Sequence, residues 1–168
     1  MLTLKSGRRG TARKKPARIT GKSLTPPDFI ELYRADPMER VGVIRRGVSP
    51  AALILTSAAM QLPQRRVYDM LRLPVSTTKR KTALEKPFSP EQSERILGLQ
   101  RLIGQVEAML AESGDGTRAF DAPAWVARWL ETPVPALGNE RPGTLMDTVA
   151  GQEIVSNLLA RMQSGAYA

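Results

Sequence analysis

The chain of 168 residues contains no cysteine and no histidine. Lack of cysteine excludes disulfides and thiolate metal sites, and lack of histidine removes the commonest general base and metal ligand. No cluster reads as catalytic or metal-binding, so the expectation is a protein that works by binding and needs no cofactor, not an enzyme. Aromatic residues are scarce too, 5% against 42% apolar overall, which favours a helical core over a sheet. No apolar run approaches the roughly 18 residues that a membrane span needs. The basic start is not followed by the apolar segment of a secretory signal, so neither anchor nor signal is expected and the compartment is read as cytoplasmic.

Positive charge is abundant and unevenly placed. Residues 1–22 hold eight Lys or Arg and no acid, and residues 40–86 hold ten basic groups against Asp69 and Glu85 alone. Residues 87–168 reverse the balance with six basic and ten acidic groups. The formal net charge of +9 therefore hides two halves of opposite sign, which points to two different partners.

The first 24 residues show no apolar periodicity and read as a disordered basic arm, either merely solubilising or lying along phosphates beside a DNA-binding domain. A short helix is expected over residues 28–34, with Phe29, Ile30 and Tyr33 as its apolar positions. Asp36-Pro37-Met38-Glu39 signals the next helix, to Arg46 and Gly47, and Ser49-Pro50 starts another. Residues 51–60 are apolar on nearly every side and read as the buried centre of this domain. Two short helices follow, 64–71 and 76–82, separated by Arg72-Leu73-Pro74-Val75. This pair resembles a helix-turn-helix of the Xre type. Ser76 or Thr77 is expected to cap its second helix, with Thr78, Lys79, Arg80 and Lys81 facing outward. Hydroxyls and cations there suit phosphates, and Lys or Arg suits guanine in the major groove, while Arg65 and Arg66 are assigned to backbone positioning.

Ser89-Pro90-Glu91-Gln92 is a capping box opening the longest helix, to about Glu112. Ile96, Leu99, Ile103, Val106 and Leu110 alternate in steps of three and four, the stripe of a coiled-coil seam or of a helix packed inside one chain. Gly98 and Gly104 read as points of close helix approach. Residues 113–116 form the best linker.

Further on, Asp121 caps a helix with an early Pro123, which carries Trp125, Val126, Trp129 and Leu130 at four-residue spacing, until Pro133 and Pro135 turn the chain. Gly151 is expected to open a last helix, with Ile154, Val155, Leu158, Leu159 and Met162 as its apolar stripe and Gly165 as its stop. By spacing alone this is a small helical subdomain with a tryptophan core. The stretch also resembles the toxin-binding domain of Xre/MbcA/ParS antitoxins. The resemblance rests on Trp129-Leu130, Pro133-Val134-Pro135-Ala136-Leu137-Gly138, Pro142, Leu145-Met146-Asp147-Thr148, Gly151, Val155, Leu159, Arg161-Met162, Gly165 and Tyr167. Three positions depart from the family: Val134 stands for Asn, Asn139 for a second Gly, and Ser164 for His.

The resemblance implies an all-α protein: arm 1–24, Xre-like helix-turn-helix domain 25–88, connecting or dimerisation helix 89–116, and small helical toxin-binding domain 117–168. It implies a bacterial type II antitoxin that dimerises, silences a RES-domain toxin, itself a consumer of NAD, and binds double-stranded DNA at its own promoter; no membrane partner is expected, from the absence of long apolar runs. The family's C-terminal end enters the toxin's active site, which assigns Arg161, Ser164, Gly165, Ala166, Tyr167 and Ala168 to toxin binding. Tyr167 stacking on a toxin pocket and Tyr167 folding back on Trp125 or Trp129 are the two readings of the tail. An Xre-like transcription regulator without a toxin partner is the alternative for the whole chain.

Overall fold

Side-chain caps start most of the helices. The computed structural model describes residues 27–113 and 120–163; the basic arm, most of the linker and residues 164–168 lie outside it. Helix α1 (Phe29–Arg34) is capped by Asp28, α2 (Pro37–Arg46) by Asp36, α3 (Pro50–Ala59) by Ser49 and α7 (Ala122–Leu130) by Asp121, each side chain accepting from a first-turn amide. Helix α6 (Pro90–Glu112) has the full capping box of Ser89 and Gln92. Between α3 and α6 lie α4 (Gln64–Met70) and α5 (Val75–Ala83). Two 3-10 turns, Pro135–Leu137 and Pro142–Leu145, lead to α8 (Val149–Gln163). No strand occurs among the described residues, only an isolated bridge between Val134 and Glu140.

Helix α6 is the post on which the others pack. From Leu102 to Val106 every residue is buried, as are Ile96, Leu97, Leu99, Gln100 and Ala108. The three-four stripe is therefore covered within one chain and is not an open seam: Ile96, Leu99 and Ile103 have no exposed surface. Both glycines mark close approaches. A Cβ at Gly104 would lie 1.8 Å from the Phe29 carbonyl oxygen of α1, and one at Gly98 would lie 1.7 Å from Gln152 Oε1 of α8. The two buried glutamines of α6 are matched: Gln100 Nε2 donates to Thr56 Oγ1 of α3 at 3.0 Å, and Gln105 exchanges two hydrogen bonds with Ser156 of α8, whereas Arg101 Nε is buried without a hydrogen-bond partner among the described residues.

Five expectations are corrected. Helix α3 is not the buried centre, because α6 takes that place; Leu53, Thr56, Ser57 and Met60 are buried but Ala51 and Ala58 are exposed and Ile54 and Leu55 half-buried. In α1 the buried pair is Phe29 and Leu32, with Ile30 and Tyr33 half-buried. Gly151 does not open α8, which begins at Val149; Thr148 Oγ1 accepts from the Gly151 amide at 3.1 Å, and a Cβ there would lie 2.0 Å from the Leu145 carbonyl oxygen. On α8, Val155, Leu158 and Leu159 are buried, whereas Ile154 and Met162 are exposed. The tryptophans likewise sit at the rim: Val126, Ala127 and Leu130 fill the core, and half-buried Trp125 and Trp129 stack at 5.9 Å with Phe120 beside them.

Candidate functional site

The first surface is the α4–α5 pair. Val67, Tyr68, Leu71 and Leu73 anchor it to the core, and the turn closes with the Leu73 amide donating to the Tyr68 carbonyl at 2.8 Å. Burial raises the Tyr68 pKa, and its hydroxyl donates to Gln64 Oε1 at 2.7 Å. Arg72, in the turn, adopts a left-handed φ of 46°.

The side chains assigned to DNA divide into two groups. Ser76, Lys79 and Arg80 are exposed, and Thr77 is half-buried. Thr78 faces inward, not outward: it has no exposed surface, and its hydroxyl donates to the Pro74 carbonyl at 2.9 Å. Lys81 is also turned aside, half-buried with Nζ donating to the Pro87 carbonyl at 2.7 Å and lying 6.0 Å from the Phe88 ring centre. Neither Ser76 nor Thr77 caps α5; the N-cap is Pro74, and no side chain caps the first-turn amides. On α4, Arg65 pairs with Asp69 one turn on at 2.9 Å, and Arg66 Nη2 bonds Glu131 Oε2, far along the chain, at 2.7 Å.

The second surface is the C-terminal segment. After α7 the chain turns through Gly138 and Asn139, both left-handed with φ of 67° and 65°. Asn tolerates that region better than most residues, so the turn survives where the family has a second glycine. Val134, which replaces the family's Asn, is buried. A Cβ at Gly143 would press on the Leu130 carbonyl at 2.8 Å, which holds the second 3-10 turn against the end of α7. Arg161 is exposed on the last turn of α8. Ser164, Gly165, Ala166, Tyr167 and Ala168 lie outside the described residues.

Where the two surfaces meet there is a cleft of about 320 Å³ that sequence reasoning missed. Arg66, Arg72 and Arg141 face Glu131 and Asp147 across it, with Gly143 in its wall. Arg72 Nε lies 2.9 Å from Asp147 Oδ2, and Glu131 Oε2 also lies 3.7 Å from Arg141 Nη1. These partners are too distant in sequence for any spacing rule to pair them.

Residues 115–165 match the antitoxin Xre/MbcA/ParS C-terminal toxin-binding domain, and residues 39–101 match the antitoxin Xre-like helix-turn-helix domain. A relative called Prs ADP-ribosylating antitoxin, from Sphingobium sp. (strain YBL2), is 47% identical over 148 residues, which is 88% of this chain and 92% of the relative. The chain belongs to the Xre/MbcA/ParS antitoxin family. Antitoxin Xre of Yersinia enterocolitica serotype O:8 / biotype 1B (strain NCTC 13174 / 8081) is more distant, 24% identical over 127 residues, 76% of this antitoxin and 80% of that one. The antitoxin is thus all-α, with a helix-turn-helix DNA-binding domain and a C-terminal toxin-binding domain. Both matched regions are binding domains; among the described residues no group of His, Cys, Asp or Glu is placed to hold a metal, and no helix is long and apolar enough to cross a membrane.

Proposed function

We propose that this antitoxin neutralises a RES-domain toxin that consumes NAD, by placing its C-terminal tail in the toxin's active site, and that as a DNA-bound homodimer in the bacterial cytoplasm it represses its own promoter. The observation that carries the reading is the 47% identity to a named antitoxin along nearly the whole chain, with the toxin-binding match running into the last helix. The Sphingobium relative's name couples an antitoxin to ADP-ribosylation of Prs, and ADP-ribosyl transfer draws its group from NAD. In this reading the chemistry belongs to the toxin and the antitoxin supplies only contacts.

Arg161, Ser164, Gly165, Ala166, Tyr167 and Ala168 are assigned to the toxin. Arg161 offers a cation to a toxin carboxylate, the Tyr167 ring can stack and hydrogen-bond, and the terminal carboxylate can pair with cations that otherwise hold phosphate. On DNA, Lys79 and Arg80 are the base-reading pair, with Ser76, Thr77 and the uncapped amides of α5 on phosphate. Arg65 and Arg66 sit on the helix that crosses the backbone. Ala51, Ile54, Leu55 and Ala58 leave an apolar face on α3 at helical spacing, and a second copy of the chain is its assigned occupant, because a lone helix-turn-helix reads too few base pairs.

The direct test is titration of the purified antitoxin into a purified RES-domain toxin, following NAD loss. Stoichiometric suppression is expected. Undiminished NAD loss at excess antitoxin would reject the toxin assignment and leave a plain transcription regulator.

A further inference from the structure

The first helix of a helix-turn-helix crosses the DNA backbone while the second enters the groove, so cations on α4 and in the turn stand where phosphates pass. Those cations are Arg65, Arg66 and Arg72. Arg65 is held by Asp69 of its own helix, but Arg66 and Arg72 are paired with acids of the toxin-binding region, Glu131 at 2.7 Å and Asp147 at 2.9 Å. In both of these long-range pairs the acid is the sheltered partner: the arginine side chains are 52% and 78% exposed, the carboxylates 31% and 17%. Glu131 is further anchored by Arg141 at 3.7 Å.

An exposed ion pair is worth only about 0–1 kcal/mol, whereas a cation moved onto duplex DNA gains the release of condensed counterions. The arginines can therefore exchange partners while the acids stay in place. Building on the DNA-binding reading of α4 and α5, we propose that Arg66 and Arg72 form a phosphate-contacting surface for duplex DNA, and that Glu131 and Asp147 hold it in check by competing with phosphate for the two guanidiniums. The acidic toxin-binding half thereby sets the DNA affinity of the basic half.

The test uses the full chain, a promoter duplex and an unrelated duplex, with affinity measured across salt. Glu131→Gln and Asp147→Asn should each tighten binding to both duplexes, by roughly threefold at low salt, and steepen log affinity against log salt by about 0.9 per cation freed. Glu153→Gln removes an exposed acid on α8 that does not line the cleft, and should change neither. Arg66→Ala should weaken binding and erase the effect of Glu131→Gln, and Arg72→Ala should do the same for Asp147→Asn, with melting curves confirming that each variant is folded. Unchanged affinity and slope in both acid variants would overturn the proposal, as would a gain from Glu153→Gln equal to that from Glu131→Gln. If the parent binds no duplex at all, the DNA reading fails first, and the parent measurement alone reveals it.

Discussion

Lys79, Arg80 and Lys81 are consecutive, yet they end in different surroundings. Two are exposed on α5, while the third spends its amine on the Pro87 carbonyl. Lys79→Ala and Arg80→Ala should each weaken promoter binding, by about 1–3 kcal/mol for a side chain that makes a bidentate base contact. Lys81→Ala should instead lower the melting temperature, through loss of roughly 1 kcal/mol of hydrogen bonding, with a smaller effect on DNA. Gel shifts and melts on the three variants separate these outcomes. A helical turn places residues 78 and 81 on the inner side of α5, but where that side points depends on how α4 and α5 dock, which sequence spacing does not state. The caps at Asp36, Ser49 and Asp121 were legible because each bonds an amide within three residues, whereas Asp28, expected inside the first helix, is its cap. Glu107 supplies a second residue-scale test. Burial, then Asp28, raises its pKa, against a backbone hydrogen bond from Ile30 that lowers it. The folded state thus binds its proton more tightly than the unfolded state, and the stability it contributes is present below the unfolded carboxylate value and lost as pH rises through the folded one. Glu107→Gln should therefore gain on the parent in melting temperature as pH rises from about 4 to 7; a constant difference would contradict the raised pKa.

At the scale of elements, the centre of the fold follows from length and small residues more than from apolar content. Residues 51–60 are the most uniformly apolar stretch, but α6 is longer and its glycines let α1 and α8 close on it. Gly104→Ala should cost roughly 1–3 kcal/mol or more, because the added carbon meets a backbone oxygen rather than a flexible side chain. Denaturant unfolding reads this, and a neutral result would mean that α1 can shift freely. The apolar face of α3 is explained if a second copy covers it. Leu55→Asp, at a half-buried position, should turn the proposed dimer into a folded monomer by light scattering; a dimer that survives would place the interface elsewhere. Composition could not tell an apolar face awaiting a partner from one buried inside.

For the whole molecule, the opposite charges of the two halves were legible from residue counts, and the cleft where they meet was not. Its pairs join residues 66 with 131 and 72 with 147, and only the fold, in which α4 and α7 both pack on α3, brings them together. In the proposed function one chain carries a DNA-facing surface and a separate toxin-facing end. Truncation after Ser164 removes Gly165, Ala166, Tyr167 and Ala168 without touching the buried side of α8. Co-expression of the truncated chain with the cognate toxin, following growth and NAD, separates the two ends. Arrested growth and depleted NAD are expected, while gel shifts on the promoter remain as in the parent. Normal growth and normal NAD with the truncated chain would contradict it and move the inhibitory contact onto the body of the toxin-binding domain.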